Sequence, residues 1–432
     1  MKKPKISYEE AIEYLFGLQK YGIKFGLNKT SNLLEAFGNP HHGQNYIHIA
    51  GSNGKGSVAA MVETILIKSG LKVGFYSSPH LVRFTERFRI NGREMAPERA
   101  AALTEELINV MPPKDPPTFF EVVTAMALIY FVREEVDIAI MEVGMGGRLD
   151  ATNVIRPLVS VITNISLEHQ FFLGSRLSDI AGEKGGIIKK RVDMVTAATQ
   201  PSVIKLLQTL CEEKEAPFWR VGKDIRYRSN DSGFNYYGLN RNFRGLELGL
   251  GGKFQKRNAA LSLAVIELLE RKGFEISTPH IMEGIKETFW PGRMQIVSKQ
   301  PLIMLDGAHN PRAVRELARS VKHDFSYQRL ILVIGVMDDK DIGKMMREIL
   351  PMADDVIFTR AKYFRSASPE RLRQEASPMK KSGEIAAPLS EAIDRAKKMA
   401  RPEDMILICG SLFTVGEAMT YFDPEGCKPD GL

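Results

Sequence analysis

The chain has 432 residues, of which 44% are apolar and 26% charged, the proportions of a soluble globular protein, and its length predicts two domains rather than one. No apolar run approaches the length of a membrane span, and the three scattered cysteines (Cys211, Cys409, Cys427) offer no disulfide or metal framework and suit a reducing cytoplasm. The net charge of +7 is dispersed, its longest cluster being Lys189-Lys-Arg191, so a solvated surface explains it first, small polyanions second and nucleic acid third.

The basic start Met1-Lys-Lys-Pro-Lys5 leads into an amphipathic helix rather than a signal sequence. Residues 46–50 then read as an apolar strand running into Gly51-Ser-Asn-Gly-Lys-Gly-Ser57. Triphosphate binding needs this arrangement. Gly51, Gly54 and Gly56 let backbone N–H groups close on phosphate oxygens, Lys55 supplies a point charge, and Ser57 reaches a magnesium ion. A helix over 58–69 turns its positive N-terminal end to the same anion. The spacing is a variant of the ordinary phosphate loop, because Ile49 stands at the first glycine position and Gly56 separates Lys55 from Ser57.

Further strands are expected at 72–76, 137–142, 159–164 and 194–198, with a small antiparallel excursion over 218–250 and helices at 258–272 and 279–288. Trp290-Pro-Gly-Arg293 breaks the pattern as a hinge. A second alternating series follows, with strands at 302–305, 329–335, 355–359 and 405–409 and helices at 311–323, 341–350 and 389–399. Two α/β units separated near residues 295 and 296 result, each a mostly parallel sheet with helices on its faces. There are no repeats.

Three constellations carry chemistry. Asp137-Ile-Ala-Ile-Met-Glu142 puts a carboxylate at the C-terminal end of a strand, where open α/β sheets place ligands. The glycines after it lack the third correctly spaced glycine of a dinucleotide fingerprint. Ile162-Thr-Asn-Ile-Ser-Leu-Glu-His169 again leads from a strand to a polar cluster, although hard Mg²⁺ seldom takes histidine. In Gly182-Glu-Lys-Gly-Gly-Ile-Ile188 the lysine reads as surface decoration.

Taken together these motifs resemble the folylpolyglutamate synthase family of the Mur ligase superfamily, bifunctional dihydrofolate synthase/folylpolyglutamate synthases included. The similarity also covers Gly26-Leu27, Tyr76-Ser-Ser-Pro-His80, Phe119-Phe-Glu121 and Met141–Asn153. It continues through Leu167-Glu-His-Gln170, Pro291-Gly-Arg293, Leu305-Asp-Gly-Ala-His-Asn-Pro311 and Cys409-Gly-Ser-Leu-Phe-Thr-Val-Gly416. The resemblance implies an N-terminal Mur-ligase-type ATPase domain over 1–295, binding ATP and pterin, and a smaller Rossmann-like α/β domain over 296–432. It also implies ATP-driven addition of L-glutamate to dihydropteroate or folates through an acyl phosphate, by a monomer in the cytoplasm with no nucleic-acid or membrane partner.

The residue roles below are those the resemblance implies. Gly54, Lys55, Gly56 and Ser57 would hold the phosphates, with Ser57 and Glu142 at one magnesium and Ser78 and His169 at a second. Lys55, His169 and Lys184 would be catalytic, Lys184 as a carbamylated lysine that offers oxygens where an ammonium cannot. Asn258 would contact adenine, Arg293 and Asp306 would reach ATP across the cleft, and His309 would lie near the phosphates. Phe25, Gly26, Leu27, Thr118, Phe119, Phe120, Glu121, Leu149, Asp150 and Ala151 would form the pterin surface. Two positions depart from the family pattern: Phe254, where relatives often carry histidine, and Asp338-Asp-Lys-Asp341, a variant of a loop that often begins with lysine. A sister ligase acting on a UDP-sugar peptide would ordinarily carry a further N-terminal domain, whereas 45 residues precede the first strand. A regulatory ATPase would not need Glu142, His169 and Lys184 together.

Overall fold

The computed structural model describes residues 5–22, 24–230 and 233–430, with Asn230 described by its backbone alone. The opening residues 1–4 lie outside it; the amphipathic helix they precede is Tyr8–Gly17, started by a capping box between Ser7 and Glu10.

Eight strands form the first sheet: β1 (Tyr46–Ala50), β2 (Val73–Tyr76), β3 (Phe88–Ile90), β4 (Arg93–Glu94), β5 (Ile138–Glu142), β6 (Val159–Ile162), β7 (Asp193–Thr196) and β8 (Phe218–Arg220). Their order is β4-β3-β2-β5-β1-β6-β7-β8. Pairings from β2 to β8 are parallel, and β3 and β4 close one edge antiparallel. Successive side chains of a strand point to opposite faces, and here each face has its own core. Ile47 and Ile49, with Phe75, Ile140 and Val161, pack under the helices Lys55–Lys68, Gln255–Glu270 and Thr278–Glu287. Tyr46, Tyr76 and Met141 pack on the other side, against Tyr8–Gly17, Pro97–Val110 and Phe119–Arg133.

The helix expected at 58–69 begins three residues earlier, at Lys55, because Gly54 in the left-handed region (φ +87) turns the chain straight from loop into helix. The antiparallel excursion is present as a three-stranded sheet of β9 (Arg226–Asn230), β10 (Gly233–Tyr237) and β11 (Asn242–Leu246). Residues 218–220 do not belong to it. They pair parallel with β7 and extend the first sheet.

The second large sheet contains β12 (Gln295–Lys299), β13 (Leu302–Asp306), β14 (Leu330–Ile334), β15 (Asp355–Phe358), β16 (Glu384–Ile385) and β17 (Met405–Cys409), ordered β12-β13-β17-β14-β15-β16. Only β12 runs antiparallel. Helices Pro311–Asp324 and Ile342–Ile349 cover one face, and Leu389–Met399 and Leu412–Phe422 the other.

The two large sheets turn the C-terminal ends of their parallel strands toward one cleft. Across it Asn310 Nδ2 donates to Asn53 Oδ1 at 2.8 Å and Arg312 donates to the Ile165 carbonyl at 3.0 Å. Among the described residues no helix is long and apolar enough to cross a membrane.

Candidate active site

The cleft has a volume of about 620 Å³ and is lined by the loops that follow β1, β2, β5, β6, β13, β14 and β17. This is the position at which open α/β sheets bind ligands. The loop after β1 forms its floor. Gly51 is held against β6, where a Cβ would overlap Thr163 Oγ1, and that hydroxyl in turn donates to the Asn53 carbonyl at 2.7 Å. Gly54 supplies the positive φ that aims the first amides of the following helix at the cleft. Lys55 Nζ donates to the Gly51 carbonyl at 3.3 Å and lies 3.7 Å from Glu142 Oε1. Ser57, buried in the first helical turn, accepts from Gln255 Nε2 at 3.2 Å.

Glu142 ends β5 with its carboxylate buried; burial raises its pKa against the opposing pull of Lys55 and Arg293, and the Ser78 amide also faces it. His169 stands at the end of the loop after β6 in the left-handed region (φ +44), a conformation that costs a non-glycine residue about 1–3 kcal/mol and is found chiefly at functional sites. The residue as a whole is exposed, but desolvation of its ring at the cleft lowers the pKa to about 4, so the imidazole is neutral at physiological pH.

Lys184 is not surface decoration. It is 2% exposed, carried by the helix Leu177–Gly185 behind the phosphate loop, where its Nζ lies 2.8 Å from Glu168 Oε1 and donates to the Gly51 carbonyl at 3.1 Å. Burial lowers the lysine pKa, while Lys184 and Lys55 hold the Glu168 carboxyl below its ordinary range against the effect of its own burial.

The residues expected on the nucleotide side come from both halves of the chain. Asn258 donates to Gln255 Oε1 at 2.7 Å, and its amide packs against Gly54. Arg293 and Asp306 line the cleft, and the guanidinium opposes the rise that burial imposes on the Asp306 pKa. The Asp306 carboxylate is already engaged by the Met294 and Ala308 amides at 2.9 and 2.8 Å, so it braces the hinge. His309 Nδ1 donates to the Gly307 carbonyl at 2.8 Å, which leaves its Nε2 lone pair free; burial lowers this histidine to about 4 as well.

At the far end Phe25, Gly26, Thr118, Phe119, Phe120, Glu121, Leu149, Asp150 and Ala151 line the same cleft, whereas Leu27 does not. Leu27 instead precedes the helix Asn28–Ala36 as its cap residue. The two carboxylates in this wall are not free. Glu121 accepts from the Thr118 amide and hydroxyl (2.7 and 2.8 Å), and Asp150 from the Met145 and Thr152 amides (2.9 and 3.0 Å). They fix the loops, and the aromatic rings present the surface.

Sequence reasoning passed over Glu168, Arg87, Arg257 and Arg312. Glu168 sits inside a quoted motif, and its neighbour His169 was the available signal. The three arginines belong to no spacing pattern and become visible only when the cleft is assembled.

Among the described residues no group of three or more His, Cys, Asp or Glu side chains converges as a metal cage. Magnesium does not require one, because it keeps several waters and takes one or two carboxylates plus substrate phosphates. A buried Glu142, with no ion-pair cation closer than 3.7 Å among the described residues and lining the same cleft as Ser57 and His169, fits that demand.

Comparison with known proteins follows the same line. The Mur ligase middle domain family model matches residues 49–266, and that of the Mur ligase glutamate ligase domain matches residues 292–412. A Bacillus subtilis dihydrofolate synthase/folylpolyglutamate synthase is 32% identical over 95% of this chain and 98% of its own length. A Haloferax volcanii protein named as a probable bifunctional folylpolyglutamate synthase/dihydropteroate synthase is 35% identical over 96% of this chain, which spans 50% of that longer relative. Among solved structures, Escherichia coli FolC in complex with DHPP and ADP superposes with a TM-score of 0.89 at 32% identity, covering 96% of this chain and 98% of that one. A Yersinia pestis bifunctional folylpolyglutamate synthase/dihydrofolate synthase complexed with AMPPNP and Mn ion gives 0.87 at 30%, covering 98% and 99%.

Proposed function

We infer the activity from one premise: the chain belongs to the Mur ligase family, within its dihydrofolate synthase/folylpolyglutamate synthase group. It is an ATP-dependent ligase that joins L-glutamate to a carboxylate on dihydropteroate or on a folate. The observation that carries this reading is the single cleft in which a phosphate loop, a strand-end carboxylate, Arg293 from the hinge and an aromatic wall meet. Lys55 and the first amides of the following helix hold the transferring phosphate, and Arg293 approaches the same charge from the hinge. The acceptor carboxylate attacks the γ-phosphorus and ADP leaves. The amine of glutamate then adds to the acyl carbon, loses a proton, and phosphate departs with one oxygen of the original carboxylate. Because water destroys an acyl phosphate, chemistry waits until the two units have closed through contacts such as Asn310–Asn53. The dividing line between those units falls at residues 295 and 296.

A bound divalent cation supplies positive charge to the triphosphate. Ser57 and Glu142 would hold it at a first position, Ser78 and His169 at a second. Carbamylation of Lys184 is part of the same reading: burial favours the uncharged amine, the form that captures CO₂, and the product is an anion beside the phosphate loop. A monomer in the cytoplasm completes it. The test is ADP release with dihydropteroate and with tetrahydrofolate, each with and without glutamate. Release that needs both the pterin acid and glutamate is expected; ATP hydrolysis indifferent to both would defeat the reading.

A further inference from the structure

Trp290 opens the hinge and stands outside the lining of the cleft. Its ring belongs to the first unit. It stacks on Phe75 of β2 at 5.1 Å between centroids, and the Arg89 guanidinium of β3 covers it at 4.7 Å. The nitrogen edge of the ring faces the phosphate loop. A Cβ on Gly56 would stand 2.7 Å from the indole Nε1, 3.0 Å from Cε2 and 3.3 Å from Cζ2. Gly56 lies in a helix, so its backbone does not demand glycine; the ring occupies the room a side chain would take. The same helix, Lys55–Lys68, carries Glu63 about two turns further on. Glu63 is 5% exposed and accepts from the Gly92 amide at 3.2 Å, and Arg89 opposes the rise that burial imposes on its pKa. One helix therefore meets the ring at Gly56 and the cation covering that ring at Glu63.

Two residues beyond Trp290 the chain is already tied to the second unit. The Gly307 amide, in the loop after β13, donates to the Gly292 carbonyl at 2.8 Å, and a Cβ on Gly292 would come within 2.9 Å of Val415. Arg293 then enters the cleft. Only Pro291 separates the clamped ring from these contacts, and proline fixes its own φ. So short a segment has little torsional freedom to absorb a movement. Displacement of the second unit is carried to Trp290, and through its ring to Gly56, where the amides that meet phosphate begin.

We propose that Trp290 is a positioning residue for phosphoryl transfer, a wedge held by Phe75 and Arg89 that seats the phosphate loop as the two units close. This rests on the ligase reading above. Nucleotide binding and closure then favour each other by the same factor, as linkage requires, through a side chain that touches no substrate. Misplacement of the loop by about 1 Å is enough to slow a reaction about a hundredfold.

The test is calorimetric titration with ADP and a divalent cation, together with steady-state ADP release, on full-length wild type, G56A, W290L, G56A/W290L and R89M. Leucine lacks the three ring atoms that a methyl group on Gly56 would meet. G56A should weaken ADP binding about tenfold or more in the wild-type background but about twofold or less in W290L, because the ring it collides with is gone. W290L alone should raise KM for ATP about tenfold and lower kcat, while KM for the pterin acid and for glutamate stays within about twofold. R89M leaves hinge and loop intact and should raise KM for ATP about threefold by uncovering the ring. Equal losses from G56A with and without the ring overturn the wedge. So does an unchanged KM for ATP in R89M, a result that stands even if W290L folds poorly. Wild type that binds ADP yet splits ATP without needing glutamate defeats the ligase reading instead, so the two failures are distinct.

Discussion

Among single residues, Lys55 and Lys184 carry the sharpest expectations. Lys55 lines the cleft with Glu142 at 3.7 Å, and in the proposed reaction its charge faces the phosphate being transferred. Lys55→Ala should therefore lower kcat by about 3–4 kcal/mol in the barrier, with thermal stability nearly unchanged. Near-normal turnover would remove the loop from catalysis. Lys184 differs because it is buried against Glu168. In the unmodified protein Lys184→Ala removes the ion-pair partner of the largely buried Glu168 and should destabilise the fold by about 3 kcal/mol as well as abolish activity. If the carbamate reading holds, acetate restores part of the activity of Lys184→Ala, while Lys184→Arg stays inactive although its charge still faces Glu168. An active Lys184→Arg enzyme would contradict it. Residue-scale legibility was uneven for a physical reason. Lys55, Ser57 and Glu142 lie at strand ends or in a spaced loop, so their neighbours in sequence announce them. The burial of Lys184 and of Arg87 is set by helices and loops packed from elsewhere in the chain.

At the scale of elements, strands buried on both faces were readable and edges were not. β1, β13 and β17 are buried and almost wholly apolar, and fell within a residue of their expected ends. β12 is a half-exposed antiparallel edge and β16 two residues long, and neither leaves an apolar pattern to read. The segment 218–220 misled because its pairing is decided by β7, more than 20 residues earlier. The phosphate loop, in contrast, was legible because each glycine in it answers a local demand. At Gly51 that demand is space: a methyl group would overlap Thr163 Oγ1. Gly51→Ala should push the loop off β6 and weaken nucleotide binding about tenfold or more, read by calorimetric titration with ADP. The neighbouring contact, Trp290 against Gly56, links the hinge to the same loop: a Cβ on Gly56 would come within 2.7 Å of the indole nitrogen, and the ring stacks on Phe75 at 5.1 Å.

For the molecule as a whole, acid should be destabilising through buried histidines. His48 lies inside β1, fully buried and hydrogen-bonded to Thr152 Oγ1 at 2.8 Å, and burial holds its pKa at about 3. A histidine with a folded pKa below its unfolded one contributes stability that is present above about pH 6.5 and is lost as pH falls toward the folded value. Chemical denaturation at about pH 7.5 and about pH 5 should show wild type losing about 2 kcal/mol more than His48→Gln, which keeps a partner for Thr152 but cannot protonate. Equal losses would mean that His48 is solvated in the folded state. At the same scale the two units work as one only if both sheets address a single reaction. Labelling the acceptor carboxylate of dihydropteroate with heavy oxygen tests this most directly, by mass spectrometry of the products formed with ATP, a divalent cation and L-glutamate. One labelled oxygen in the inorganic phosphate, matched by pterin acid lengthened by one glutamyl residue, is the predicted result. Unlabelled phosphate, or phosphate released with no glutamyl product, would contradict the account.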